Sequence, residues 1–122
     1  MAAPNIVGVT TITGKTAGLA VTTSATAIVT NSASSGKVLK INSLIISNID
    51  GTNDADVTVT FYDNQTTEYH IAKTVTVPAD TTMVIISKDN SIYLEENDSI
   101  RLLASATGDL EAICSYEEIT DA

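Results

Sequence analysis

The sequence predicts an all-β protein: an antiparallel two-sheet β-sandwich, jelly-roll-like, with about eight to ten short strands. Thr alone occurs 19 times in the 122 residues, and β-branched side chains favour strands because their stiff χ1 angles fit a pleated surface. Short stretches of Val, Thr and Ile alternation are separated by turn signals, and no stretch shows the 3.6-residue apolar period of a helix. Hydrophobic residues make up 43% and charged residues 17% of the chain, which excludes a disordered composition. The length corresponds to one domain.

One stretch, Lys37–Asn48, organises the prediction. Its middle holds Leu44, Ile45 and Ile46 on consecutive positions, so both faces of a strand would carry apolar side chains there. We therefore expect this strand to be central and buried on both sides, with shorter strands laid against it.

The N-terminal third is predicted to begin with an extended arm. Residues 1–9 hold the arm and the start of a first strand, residues 10–119 the sandwich, and residues 120–122 an acidic tail. The first strand is predicted over residues 6–12 and ends at a turn over residues 13–15. Residues 19–30 fit two short strands or one long strand with a bulge near Ser24, and both readings stay open.

The clearest alternation lies at residues 55–62, where Ala55, Val57, Val59 and Phe61 fall on one face, as in a sheet with one solvated side. Hairpin-type connections are predicted at residues 49–54, 63–66 and 107–109. Pro78 marks a corner. Further strands are predicted at residues 69–77, 82–87, 91–94, 99–105 and 110–117, and the last of these places Leu110, Ala112, Cys114 and Tyr116 on one face.

The charge balance excludes several classes of partner. The formal charge is −9 with six Lys and Arg together, so the basic surface that nucleic-acid binding requires is missing. Anionic membranes are disfavoured for the same reason, and no apolar run approaches the roughly 20 residues of a bilayer span. The N-terminus lacks the basic and apolar regions of a secretory signal, so we expect no export. A single cysteine excludes an intramolecular disulfide.

Residues with catalytic potential are few. His70 is the one histidine, which excludes a His-based metal cluster, and we expect it to be a structural or surface residue. Cys114 shares its strand face with apolar residues and is expected to act as a small buried apolar group. We therefore predict no catalytic residues, no cofactor and no enzymatic activity.

Carboxylates cluster in three places, and two explanations stay open. Loops with several carboxylates can hold Ca²⁺, although the EF-hand spacing is missing, and solvated turn residues explain the clusters equally well. The prediction is that no metal is bound, with Ca²⁺ as the alternative. The clusters are Asp50/Asp54/Asp56, Glu95/Glu96/Asp98 and Glu117/Glu118/Asp121.

Four segments carry a family resemblance: MAAPNIVGVTTITGKT, KINSLIISNIDGTNDADVTVTFYD, YHIAKTVTVPADTT and SIYLEENDSIRLLASATGDLEAICSYEEI. Together they resemble the small all-β virion proteins of tailed bacteriophages, in particular T4-like phages of marine cyanobacteria, over residues 1 to about 119. Asn97 departs from the pattern, because similar proteins carry Gly there. Both residues suit a positive φ. The resemblance implies a non-enzymatic building block of the virion, with no catalytic residues to transfer.

The first functional hypothesis is a capsid decoration (cement) or head-fibre protein that is made in the host cytoplasm and binds the assembled particle. Its apolar arm or an edge strand would dock on the major capsid protein or another virion protein, with Ile6, Val7, Val9 and Ile12 as the docking residues. The chain would form a homo-oligomer, with a trimer favoured.

Two alternatives stay open, one of them from a different functional class. The chain could be a neck, tail or tail-fibre component that acts as a spacer or a receptor-facing knob. It could also be a carbohydrate-binding sandwich, which would stack sugars on exposed aromatic rings. The available rings are Tyr62, Tyr69, Tyr93 and Tyr116 beside Phe61.

Overall fold

The computed structural model describes residues 11–120, which form nine β-strands and one short 3₁₀ turn. The predicted all-β class is confirmed, and no α-helix occurs in this range. The strands are β1 (Thr11–Ala20), β2 (Thr26–Thr30), β3 (Lys37–Asn48), β4 (Ala55–Asp63), β5 (Thr67–Val77), β6 (Thr82–Ile86), β7 (Ile92–Leu94), β8 (Ser99–Ala104) and β9 (Leu110–Thr120), with the 3₁₀ turn at Lys88–Asn90.

The strands form two antiparallel sheets that pack face to face. Sheet A has the order β1-β9-β3-β6, with β7 also paired to β3, and sheet B has the order β2-β8-β4-β5. Apart from β7, this is the arrangement of a jelly roll with two four-stranded sheets, in which every connection except the β4–β5 hairpin crosses from one sheet to the other. The predicted two-sheet sandwich is therefore confirmed.

Strand β3 has the central place that its sequence predicted. It pairs with β9 along one side and with β6 and β7 along the other. Leu44 and Ile46 are fully buried, whereas Ile45 between them is half-buried. The prediction of burial on both faces was therefore wrong, because the side of sheet A that Ile45 occupies is not covered by sheet B.

The core lies between the two sheets and is built from aliphatic side chains. Leu44 and Ile46 of β3 belong to one cluster with Val57 and Val59 of β4 and with Leu102 of β8. The alternation predicted for residues 55–62 is confirmed at Val57 and Val59, which are fully buried. The core thus follows from the period-two pattern of each strand.

The N-terminal strand differs from its prediction. The predicted turn over residues 13–15 is absent, because Thr11–Ala20 pairs with β9 through ten consecutive residues with no shift in register. Gly14 lies within this strand and pairs with Glu117. Residues 19–30 contain the end of β1 and the whole of β2, which belong to sheets A and B. The prediction of one long bulged strand is therefore wrong. The two-strand prediction is confirmed for residues 26–30, whereas residues 21–25 belong to no strand. The predicted arm over residues 1–9 lies outside the described residues.

Most of the predicted hairpins are crossovers between the sheets. Among the described strands, β4 and β5 are the one pair of consecutive strands that hydrogen-bond to each other. Their turn has φ values of 52° at Asn64 and 56° at Gln65, the type I′ geometry that suits a hairpin. The connections at residues 49–54 and 107–109 instead carry the chain from one sheet to the other.

Two buried asparagines fix the loops at the two ends of β3. At one end, the Asn31 amide donates to the backbone oxygens of Lys37, at 2.9 Å, and of Leu94, at 3.0 Å. At the other end, the Asn48 amide donates to the backbone oxygens of Asn53, at 3.0 Å, and of Val77, at 2.9 Å. Each side chain gives a donor to two backbone carbonyl groups and so joins its loop to the end of a neighbouring strand, and carbonyl groups buried without a donor are costly.

The last strand is longer than predicted. It continues past Glu117 to Thr120, and Ile119 is buried. Asn97 has the predicted positive φ, at 75°.

Candidate assembly surface

Strand β1 is an edge strand with one described neighbour. It pairs with β9, and within residues 11–120 no strand lies along its other side. Most of its side chains are exposed, and its ten residues contain no bulge and no proline. A long regular edge presents backbone groups that can pair with another chain. The β1 edge is therefore a candidate site for assembly.

Ile12 lies on this edge strand. Its side chain is 57% exposed, and it is opposite Ile119 of β9. Of the four predicted docking residues, Ile12 is thus placed on an accessible edge, while Ile6, Val7 and Val9 lie outside the described residues.

A row of small and apolar residues crosses the outer face of sheet A, the face turned away from sheet B. Ile45 of β3 is opposite Ile113 of β9 and opposite Val84 of β6, and Ile113 is opposite Gly18 of β1. Ile113 is 46% exposed and Val84 is 60% exposed. The consecutive apolar residues at positions 44–46 indicated that β3 has an apolar side chain on each face. They were interpreted as a sign that the strand is buried on both sides, whereas one of the two faces is this outer face.

The outer face of sheet B is polar by contrast. Thr60 is buried and donates a hydrogen bond to the Glu68 carboxylate at 3.0 Å, which also pairs with Arg101 at 3.5 Å. The Arg101 guanidinium lies 4.3 Å from the centre of the Tyr62 ring. Thr60, Glu68 and Arg101 border a small cleft of about 70 Å³ together with His70. Sequence reasoning missed this cluster because it depends on the register of three strands.

His70 and Cys114 occupy the surroundings expected of them. His70 is exposed on β5 and lies across from Thr60. Cys114 is fully buried, and burial raises the pKa of its thiol to about 12. A thiol with so high a pKa is protonated near neutral pH and is a poor nucleophile.

The carboxylates serve as acceptors for turns. Asp98 is buried and accepts the backbone N–H groups of Asn64, at 2.9 Å, and of Glu95, at 3.0 Å. Asp50 accepts those of Thr52 and Asn53, and these bonds hold the pKa of its carboxyl below the usual value. Within residues 11–120, no three His, Cys, Asp or Glu side chains come together as a metal site.

One pair of carboxylates forms a close contact. The pKa of Asp109 is raised, first because its carboxyl group is partly desolvated and second because the Asp50 carboxylate repels its negative charge. The backbone N–H of Ile49 donates to the Asp109 carbonyl at 2.8 Å beside this pair, so the two crossover loops meet at this end of the sandwich.

The aromatic rings of the described residues are divided between the two sheets, and the rings of Phe61 and Tyr69 stack with their centroids 6.5 Å apart. Tyr69 and Tyr93 are both well exposed, at 57% and 44%, but Tyr69 lies on sheet B and Tyr93 on sheet A. Tyr62 is covered by Arg101 on one face. An open cleft of about 260 Å³ at the loop end is lined by Ala33, Ser34, Asn64, Glu96 and Asn97, without an aromatic side chain.

No helix within residues 11–120 is long and apolar enough to cross a membrane.

Comparison with known proteins gives a likeness of fold. No protein-family model and no curated protein matches the chain. A solved structure of a Bacillus endospore appendage, from a family of disulfide-linked pili, is similar with a TM-score of 0.54 and 16% sequence identity, covering 92% of this chain and 88% of that chain. At this identity the likeness shows a shared sandwich architecture and nothing about shared residues.

Proposed function

We propose that this chain is a non-enzymatic structural subunit of a virion, a decoration (cement) or head-fibre protein that is made in the host cytoplasm and binds the assembled phage particle. The observation that carries the proposal is the β1 edge: ten residues in regular register, exposed along one side, with the exposed Ile12 at its N-terminal end. The docking partner is the major capsid protein or another virion protein.

The edge supports docking because monomeric proteins protect such strands. Their edge strands are short, are bent by bulges, or carry proline and unpaired lysine. β1 is long and unbent, and its single lysine, Lys15, is held by the Glu118 carboxylate at 3.2 Å. A partner segment could therefore extend sheet A along β1 by backbone hydrogen bonds.

Co-sedimentation with empty heads of the parent phage tests the proposal. Removal of residues 1–9 and, separately, Ile12→Asp should reduce the amount of chain that sediments with the heads. Ile49→Asp is the matched control, because Ile49 is 55% exposed and lies in the β3–β4 connection. It makes the same change in charge and should leave binding intact. Undiminished binding of both the truncated chain and Ile12→Asp would reject docking through the arm and β1.

A second candidate is a neck, tail or tail-fibre component. The solved appendage structure with the same architecture favours it, since a sandwich of this kind serves there in a filament. Copy number separates the two proposals: quantitative mass spectrometry of purified particles should find hundreds of copies for a capsid decoration, and about a dozen or fewer for a tail component, in line with closed rings of low symmetry.

A further inference from the structure

We propose that the outer face of sheet A is where a second copy of the chain packs, sheet against sheet. This inference rests on the proposed structural role and names the surface for self-association. The face is distinct from the β1 edge: docking at the edge extends the sheet in its own plane, whereas packing on the face adds a layer above it.

The apolar row is continuous across the outer face of sheet A. The pairings Gly18–Ile113, Ile113–Ile45 and Ile45–Val84 are direct cross-strand neighbours, so the row spans four of the five strands of sheet A. Ile113 and Val84 are the most exposed apolar side chains of β9 and β6. Gly18 presents no side chain, so a packed layer can approach closely where the row meets β1.

The outer face of sheet A has a low net charge compared with the whole chain. The whole chain carries −9, so two copies repel each other over most of their surfaces. The register places three charged side chains outward on the strands of sheet A, Lys40, Glu111 and Glu117, a net −1. A second acidic copy can therefore approach this face with little electrostatic repulsion. A basic partner would be attracted more strongly to the more acidic surfaces elsewhere on the chain.

The area of the outer face of sheet A is sufficient for two copies to pack together. Strands β1, β9 and β3 run side by side for ten residues, and β6 and β7 together line most of the other side of β3. With strands about 4.8 Å apart, this face covers roughly 600 Å². Two copies would bury roughly 1,200 Å² in total, the lower limit of a specific interface. Apart from Glu111, the residues flanking the row are small and mostly hydroxyl-bearing, and the Ser47 and Thr82 hydroxyls already bond to each other at 3.1 Å. The face is thus level enough for two sheets to pack about 10 Å apart.

Analytical ultracentrifugation of the full chain tests the inference. At about 100 μM, a hundredfold above a micromolar Kd, the wild type should have twice the mass of the 12.7 kDa chain. Ile113→Lys should be monomeric. The control Tyr69→Lys makes the same charge change at a 57% exposed side chain on sheet B and should remain dimeric. Far-UV circular dichroism confirms that each variant is folded, which is expected because both side chains are exposed.

A wild type that stays monomeric at this concentration would overturn the inference, as would any assembly whose mass Ile113→Lys leaves unchanged. The proposed function fails separately: a chain that dimerises but does not bind particles rejects the virion role alone, and a monomer that binds particles rejects the packing of copies alone.

Discussion

Replacement of Asn48 tests how the sandwich closes at one end. Asn48 is 3% exposed. Its amide donates to the carbonyl oxygens of Asn53 and Val77, and its side-chain oxygen accepts the backbone N–H of Asp50 at 2.9 Å. This single side chain therefore joins the β3–β4 crossover to the end of β5, in the opposite sheet.

The expected loss can be worked from these three hydrogen bonds. Each contributes about 1 kcal/mol net, and a backbone partner left buried without a donor costs at least as much. Water can reach part of the loop in Asn48→Ala, so we expect the free energy of unfolding to fall by about 2–4 kcal/mol. Asn48→Asp should lose more at neutral pH, because a carboxylate has no N–H to donate and would face two carbonyl oxygens.

Urea unfolding followed by far-UV circular dichroism measures this change. Asn53→Ala is the control, because its exposed amide makes a 3.2 Å bond to Asp50, and its effect should stay within about 0.5 kcal/mol. If Asn48→Ala unfolds at the same urea concentration as Asn53→Ala, the side chain does not hold the crossover and the reasoning is wrong.

Three further predictions concern the core, the thiol and the two ion pairs of Glu118. Ile41→Ala removes a fully buried side chain and should lower the free energy of unfolding by about 2–5 kcal/mol in the same urea assay; a loss below about 1 kcal/mol would contradict the assigned core. The Cys114 thiol, with a pKa raised to about 12 by burial, should react with a thiol reagent in denaturant and resist it in the folded protein, and equal rates in the two states would refute its burial. Desolvation opposes ionisation of Glu118, but hydrogen bonds from Lys37 and Lys15 outweigh it and leave its pKa below the usual value. Ionised Glu118 therefore stabilises the folded state fully above the unfolded-state pKa of about 4.3, and this stabilisation is lost as pH falls through the lower folded-state pKa. Glu118→Gln should thus destabilise by up to about 1 kcal/mol at pH 7 and match the wild type in strong acid, and a difference that grows on acidification would have the wrong sign.

Strand positions were predictable because burial alternates locally. Val57 and Val59 in β4, and Ala112 and Cys114 in β9, are buried as their spacing predicts. Each strand's inward face is set by residues two positions apart, which a sequence displays directly.

Sheet assignment was not predictable in the same way. The Asp50-Gly51 step and Gly108 are turn signals, and turn chemistry is alike whether the chain reverses within a sheet or crosses to another. Gly108 has a positive φ of 93°, yet the strands it joins lie in different sheets. Gly14 shows the converse: it suggested a turn, but the unbroken pairing with β9 holds it in a strand.

The surfaces required the register as well as the sequence. Ile113, Ile45 and Val84 are far apart along the chain and form a row because two strand pairings align them. The same holds for Arg101, Glu68 and Tyr62 on sheet B. Ile12 could be named from sequence because it is an apolar residue near the terminus, but its place on an edge strand follows from the sheet order.

A cryo-EM reconstruction of the intact particle is the most direct test of a role as a structural subunit. We expect density for the sandwich at the particle surface, with the β1 edge contacting a virion protein and Ile113 facing a second copy. Particles without this density, or copies whose β1 edge and outer sheet A face are both open to solvent, would contradict it.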